Sequence, residues 1–154
     1  MSKREINFFV FDTFVAIVKI ENTVSKFDHA QDLLYSYTDW DSVIREFEII
    51  GEASKYLLKE NLLRKTHQPV VDFRDVIIHE YFGVDRDEVW DVIHNDIKPF
   101  KQVILEIINN IPNSLKTELI NAFTEDNNYL DFAVKELEDL RIDNERVITI
   151  TPKL

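Results

Sequence analysis

The sequence predicts an all-α fold, and three observations support this. Only 2 glycines and 4 prolines occur among 154 residues, whereas sheet-rich folds use many of these residues in turns. Apolar residues recur at three- and four-residue steps in the longer segments, as from Phe8 to Val18, which is typical of a helix with one buried face. Two segments, Ser2 to Glu5 and Asp85 to Glu88, carry the capping pattern that opens helices.

The first half of the chain is predicted to form three helices. The first begins at Ser2 and buries a single stripe of apolar residues. A shorter one covers residues 25–35, and the third runs from about residue 38 or 39 to about residue 63. Gly51 lies inside the third helix, where glycine costs about 1 kcal/mol relative to alanine. We expect another helix to cross closely there; the alternative is a glycine that the helix merely tolerates.

The middle of the chain is predicted to form two further helices. Pro69 is suited to the first turn of a fourth helix, which stops near Gly83. Asp85 caps a long fifth helix that runs through Ile111. Pro99 must kink or interrupt that helix, because proline lacks the backbone donor that a helix interior needs.

The C-terminal part is predicted to be helical over residues 114–141, with a break near residues 126–128. The β-branched run at residues 147–151 suggests a short extended tail. With no repeat and no linker, we expect one compact unit: a helical bundle over residues 1–112, and a helical extension over residues 113–154 packed on it.

Composition excludes several classes of protein. A net charge of -11 argues against a general nucleic-acid binder, because phosphate attraction dominates that kind of binding. The absence of cysteine removes disulfides and thiolate metal sites. No segment has the pattern of a membrane span or signal peptide. The spacing of His29, His67 and His94 is not that of metal ligands. We therefore expect a soluble cytoplasmic protein with no membrane partner, cofactor or metal.

The residues with the clearest chemical potential are Arg74, His79 and Tyr81, within the segment RDVIIHEY. Arginine offers a permanent charge and a planar fork suited to phosphate. Histidine can accept or donate a proton near neutral pH, and Asp75 could share its helix face. These abilities suit RNA cleavage without a metal, which needs proton transfer and stabilisation of charge on the phosphate. By spacing alone, an ion-paired arginine and an interface histidine are the commoner explanation.

The geometry of a helix limits how Arg74 and His79 can act on one substrate group. At about 100° per residue, Arg74 and Tyr81 nearly eclipse, whereas Arg74 and His79 lie roughly 140° apart. The alternatives are a helix that distorts toward Gly83, an arginine that reaches around it, or two copies of the helix that meet across a two-fold axis.

The residues around this motif favour the catalytic interpretation over the structural one. Residues 74–81 resemble the R-x4-H-x-Y motif of the HepT-like toxins, a branch of the HEPN superfamily. Residues 48–55, EIIGEASK, are similar to that family's EIIGEAxK segment. Residues 79–85, HEYFGVD, followed by VW at residues 89–90, are similar to its HEYFGxD…VW segment.

This resemblance implies an antiparallel up-and-down helical bundle of the HEPN type that forms a homodimer. It implies a metal-independent endoribonuclease of a type VII toxin–antitoxin system, with Arg74 and His79 catalytic, Asp75 and Tyr81 supporting, and RNA rather than DNA as substrate. A partner antitoxin of the MntA-like nucleotidyltransferase fold would silence the toxin by transferring AMP onto Tyr81. A tRNA is the RNA we favour.

A cluster of basic residues is a further candidate for contact with RNA. Lys55, Lys59, Arg64 and Lys65 form the densest group of cations and could contact RNA; the alternative is ordinary surface lysines, paired with neighbours such as Glu52.

One competing function is a non-catalytic HEPN binding module that partners a nucleotidyltransferase. The other is a plain helical interaction protein, in which Arg74 and His79 would both be buried and internally satisfied.

Overall fold

The computed structural model describes the backbone of residues 1–79 and 85–150, and the side chains of residues 1–77 and 85–141. These residues confirm the all-α prediction: where the backbone is described, it forms helices and connections with no strand. The α-helices are α1 (Lys3–Val24), α2 (Ala30–Tyr35), α3 (Tyr37–Lys59), α4 (Gln68–His79), α5 (Arg86–Asn95), α6 (Ile97–Asn109), α7 (Asn113–Asp126) and α8 (Asp131–Ile150). A single 3₁₀ turn, Lys65–His67, precedes α4.

Helix α1 forms the centre of the structure. Its predicted N-cap is confirmed, since the Ser2 hydroxyl accepts a hydrogen bond from the Glu5 amide at 3.1 Å. Helices α3, α6, α7 and α8 all pack against α1, so it is buried around most of its circumference, and the prediction of a single buried stripe is wrong. Phe8, a member of the predicted stripe, is 36% exposed, and its ring packs against that of Phe123 with 4.8 Å between ring centroids.

The boundaries of α2 and α3 differ from those predicted. Helix α2 begins at Ala30, not at residue 25, because Ser25 is the C-cap of α1. Helix α3 ends at Lys59, and Asn61 adopts a left-handed backbone with a φ of 61°. The Leu62 amide then donates to the Leu57 carbonyl at 2.8 Å, and the Asn61 amide donates to the Leu58 carbonyl. This pair of bonds is a Schellman ending, which turns the chain toward α4.

Pro99 interrupts the predicted fifth helix and does not merely kink it. Proline at this position cannot donate to the carbonyl four residues earlier, that of Asn95. The chain accordingly breaks at Asp96, between α5 and α6. The predicted cap at the start of α5 is present, since the Asp85 carboxylate accepts from the Asp87 amide at 2.8 Å.

The C-terminal helices α7 and α8 pack on each other and on α1. The predicted break near residues 126–128 is confirmed, because α7 ends at Asp126 and α8 begins at Asp131. The predicted extended tail is wrong for residues 147–150, which continue α8. Their β-branched side chains cost a helix only a few tenths of a kcal/mol each, which is too little to end it. No helix in the described ranges combines the length and apolarity needed to cross a membrane.

A largely buried cation joins three helices of the bundle. Lys101 on α6 donates to Glu21 on α1 at 2.7 Å and to Glu136 on α8 at 3.3 Å. Burial opposes the charge on the amine, but the hydrogen bonds and charges of the two carboxylates outweigh it, and the pKa of Lys101 is raised. Lys101 therefore holds its charge firmly as a structural link.

Candidate active site

The contact between α3 and α4 positions the motif arginine. The rings of Phe73 on α4 and Phe47 on α3 pack edge to face, with 5.0 Å between ring centroids. Ile77, one turn further along α4, is fully buried. These two anchors fix the rotation of α4 about its axis, and Arg74, next to Phe73, is thereby directed along the surface of α3.

Gly51 lets Arg74 lie directly against the backbone of α3. A Cβ atom added to Gly51 would lie 2.1 Å from the Cβ of Arg74 and 2.8 Å from its Cγ. The predicted close helix crossing at Gly51 is therefore confirmed, and the group that crosses there is the stem of the motif arginine. The glycine is required by space and not by its backbone, which does not have a positive φ.

Two carboxylates hold the guanidinium of Arg74. Its Nη2 atom lies 3.2 Å from the Glu52 carboxylate, and its Nη1 donates to the Asp75 carboxylate at 3.3 Å. The Nε atom is buried and has no hydrogen-bond partner among the described residues. The Arg74 side chain is 29% exposed, so it is neither fully buried nor fully satisfied, as a purely structural arginine would be.

The guanidinium faces a shallow depression of about 290 Å³ lined by Arg45, Glu48, Ile49, Glu52 and Arg74. Arg45, Glu48 and Glu52 are not among the site residues that the sequence predicts. Their spacing was the available signal, because steps of three and four residues place all three on one face of α3. Which helix that face meets depends on the tertiary packing.

The other two motif residues lie at or beyond the edge of the described structure. The backbone of α4 is helical through His79, so the separation of roughly 140° from Arg74 around the axis persists. The side chain of His79 lies outside the described residues. Tyr81 lies wholly outside them, as does Gly83, where the helix was expected to stop.

The predicted RNA-contacting cations are all exposed: Lys55 and Lys59 on α3, Arg64 in the connection, and Lys65 in the 3₁₀ turn. Within the described part of the chain, none of the four forms an ion pair. Glu52, which could have paired with Lys55, pairs with Arg74 instead. Lys55 and Lys59 lie within about 60° of Glu52 around α3, on the side that Arg74 approaches.

A larger cavity, of about 540 Å³, opens on the other side of α4. Its walls are mostly apolar and include Phe73, Val76 and Phe100, with His67 at one side. We place the candidate site at the smaller depression, because that is where the motif arginine presents its charge. In the ranges that the structure describes, no group of three His, Asp or Glu side chains could hold a metal ion.

Comparison with known proteins places this arrangement in a family. The family described as "Ribonuclease HepT-like" matches residues 15–107, a span that contains α3, α4 and the segment between them. No solved structure matches the chain.

Several relatives carry names consistent with that family. A candidate RNase of Methanocaldococcus jannaschii is 31% identical over 122 residues, which is 75% of this chain and 100% of that protein. A candidate HepT ribonuclease of Thermococcus cleftensis is 37% identical over 76 residues, 46% of this chain and 67% of that protein. A third relative from M. jannaschii, named a γ-glutamylcyclotransferase and candidate RNase, is 41% identical over 86 residues, 54% of this chain, but the match spans only 38% of that longer protein. With its family match over residues 15–107 and a relative covered along its full length, the chain belongs to the HepT-like ribonuclease family.

Proposed function

We propose that the protein is an endoribonuclease toxin of a type VII toxin–antitoxin system, cleaving RNA without a metal through Arg74 and His79. The observation that supports the proposal is the position of the Arg74 side chain. Its stem lies against Gly51 and its guanidinium faces an open depression, within the part of the chain that matches a ribonuclease family.

The proposed chemistry divides between two side chains. His79 takes the proton of the attacking ribose 2′-hydroxyl or supplies a proton to the leaving 5′-oxygen, and solvent water makes the other transfer. Arg74 stabilises the negative charge that builds on the phosphate oxygens. The 2′-hydroxyl attacks the phosphorus, the bond to the 5′-oxygen breaks, and a cyclic phosphate remains on one product. Asp75 orients Arg74, which is supported by the 3.3 Å hydrogen bond between them. The need for a 2′-hydroxyl makes RNA the substrate and excludes DNA.

The site is proposed to form between two copies of the chain. Because the backbone of α4 is helical through His79, the positions of Arg74 and His79 lie roughly 140° apart around the helix axis. A two-fold axis beside α4 would bring the arginine of each copy toward the histidine of the other. A homodimer is therefore the assembly that completes the site.

The exposed cations of α3 and its following turn are proposed to guide the RNA. Lys55 and Lys59 continue from the Arg74 depression along α3, and Arg64 and Lys65 extend the path toward α4. Such a local basic path can attract phosphate although the chain as a whole carries a charge of -11. A tRNA is the proposed substrate.

Regulation is proposed to act through Tyr81. A partner antitoxin of the MntA-like nucleotidyltransferase fold would transfer AMP onto its hydroxyl. The adenylate adds bulk and negative charge where an RNA phosphate must bind, so it opposes substrate by repulsion and by steric exclusion.

The test is to compare growth on expression and RNA cleavage by purified protein for the wild type, Arg74→Ala and His79→Ala, with EDTA present. We expect the wild type to be toxic and to leave cyclic-phosphate ends. Each substitution should lower cleavage by a factor of about 100 or more. Wild-type protein that leaves total RNA intact, or variants as active as the wild type, would sink the proposal.

Matched controls keep that comparison clean. Arg4→Ala removes an exposed arginine whose ion pair with Glu118 contributes little, and His94→Ala removes an exposed histidine on α5. Both should cleave like the wild type. If no variant cleaves RNA but the protein binds a nucleotidyltransferase partner, the non-catalytic binding module is the better description.

A further inference from the structure

We propose that Glu52 is a positioning residue for this reaction, which holds the guanidinium of Arg74 in the orientation that meets the scissile phosphate. The inference deepens the proposed function and rests on it. It assigns a role to a side chain on α3, outside the R-x4-H motif on α4.

The contacts of Arg74 show why Glu52 can set its orientation. Asp75 is the next residue on the same helix and its side chain is 60% exposed, so its hydrogen bond holds the guanidinium only to α4 itself. Glu52 lies on a different helix, with its carboxylate 3.2 Å from Nη2. Its carboxylate therefore ties the guanidinium of Arg74, on α4, to α3.

Gly51 and Glu52 act on successive parts of the same side chain. Gly51 holds the aliphatic stem, because its missing Cβ leaves the space that Arg74 Cβ and Cγ occupy. Glu52, the next residue of α3, then holds the far end. An arginine restrained at both ends has few rotamers left, although Arg74 is partly open to solvent.

The restraint leaves donors free for substrate. A guanidinium has five N–H groups, of which one donates to Asp75 and the buried Nε–H faces away from solvent. N–H groups on both terminal nitrogens remain to meet phosphate oxygens at the depression. Glu52 thus orients the fork without occupying all of it.

The charge of Glu52 predicts opposite effects on binding and on turnover. Its carboxylate repels the RNA backbone, so its neutralisation should leave RNA binding unchanged or tighter. The same change releases the guanidinium, and misplacement of a catalytic group slows the chemical step. A residue that only supported the fold would weaken both together.

The experiment measures single-turnover cleavage, and binding of a 2′-O-methyl RNA that cannot be cleaved, for Glu52→Gln and Glu52→Asp in the full chain. We expect Glu52→Gln to slow cleavage by about ten- to one-hundredfold, with binding equal to or tighter than that of the wild type. Glu52→Asp retains the charge on a shorter side chain and should recover part of the loss. Thermal unfolding of each variant reports whether the fold is kept.

Asp41→Asn is the matched control, since Asp41 is an exposed carboxylate on the same helix that does not line the depression. It should cleave like the wild type. In an Arg74→Ala background, Glu52→Gln should have no further effect, because Glu52 acts through Arg74.

The inference is overturned if Glu52→Gln matches Asp41→Asn, if it cleaves faster than the wild type, or if its loss persists unchanged in the Arg74→Ala background. Failure of the proposed function is a different result, in which the wild type itself does not cleave or Arg74→Ala cleaves equally well.

Discussion

Two cations in this molecule each lie between two carboxylates, and their surroundings differ. Lys101 is 14% exposed and donates hydrogen bonds to carboxylates on two other helices, the nearer at 2.7 Å. Arg74 is 29% exposed, lies 3.2 and 3.3 Å from its two carboxylates, and has a buried Nε without a partner. Lys101 links the bundle, whereas Arg74 is oriented and retains donors for another group. An ion pair alone therefore does not distinguish a structural cation from one open to a ligand; the greater exposure of Arg74 and the depression beside it do.

The sharpest way to test this comparison is to exchange the two cation types. Arg74→Lys keeps the charge but loses the planar fork, and we expect RNA cleavage to fall by about 100-fold. Lys101→Arg should leave cleavage unchanged, because it alters a link between α1, α6 and α8. Both variants are measured by cleavage and by thermal unfolding. Equal cleavage by Arg74→Lys and the wild type would show that charge alone is needed.

Gly51→Ala tests the close packing that supports Arg74. The added Cβ would lie 2.1 Å from Arg74 Cβ, so α3 and α4 must move apart. Crowding of this kind costs about 1 to 3 kcal/mol and outweighs the helix preference for alanine, about 1 kcal/mol. We expect a net loss of stability in urea unfolding, together with slower cleavage.

Ser54→Ala is the control for that substitution. Ser54 is fully buried on the same helix, and its hydroxyl has no hydrogen-bond partner among the described residues. Its removal should be neutral or stabilising by a few tenths of a kcal/mol. Stabilisation by Gly51→Ala as well would contradict the crowding argument.

Lys101→Met tests the structural cation. We expect a loss of about 1 to 2 kcal/mol near pH 7, moderated because Glu21 and Glu136 are partly exposed and can be solvated. Lys98→Met, at an exposed position of the same helix, should cost less than about 0.5 kcal/mol.

The pH dependence of this loss follows from the raised pKa of Lys101. The folded protein binds the proton more tightly than the unfolded chain, so the stabilisation is complete below the usual pKa of 10.5. It is lost as the pH rises through the raised folded pKa. Urea unfolding of the wild type and Lys101→Met should therefore converge at high pH; a constant difference would argue against the charge-based link.

Several features of the fold could be read from single residues. Ser2 and Asp85 cap helices as predicted, and Gly51 marks a close crossing, because caps and missing side chains act locally. The sequence permits either a kink or a break at Pro99, and only the structure shows that the chain breaks at Asp96. The burial of α1 around most of its circumference could not be foreseen either, since it depends on how many helices surround it.

The sequence predicted a residue of the candidate site, but not which side chains lie around it. The motif identified Arg74, but its partner Glu52 is 22 positions away along the chain, and the spacing within α3 does not reveal which helix it faces. Glu52 could equally have paired with Lys55, as the sequence suggested. The rotation of α4, fixed by Phe73 and Ile77, decides between them.

The missing side chain at Gly51 has a thermodynamic consequence for any ligand of Arg74. Immobilising a free arginine side chain costs about 2 kcal/mol of rotamer entropy. Here the stem is confined when α3 and α4 pack, so much of that cost belongs to the free energy of folding and is not subtracted from binding. The bundle bears that entropy cost on folding, so any anion that binds Arg74 would meet a cation that is already in place.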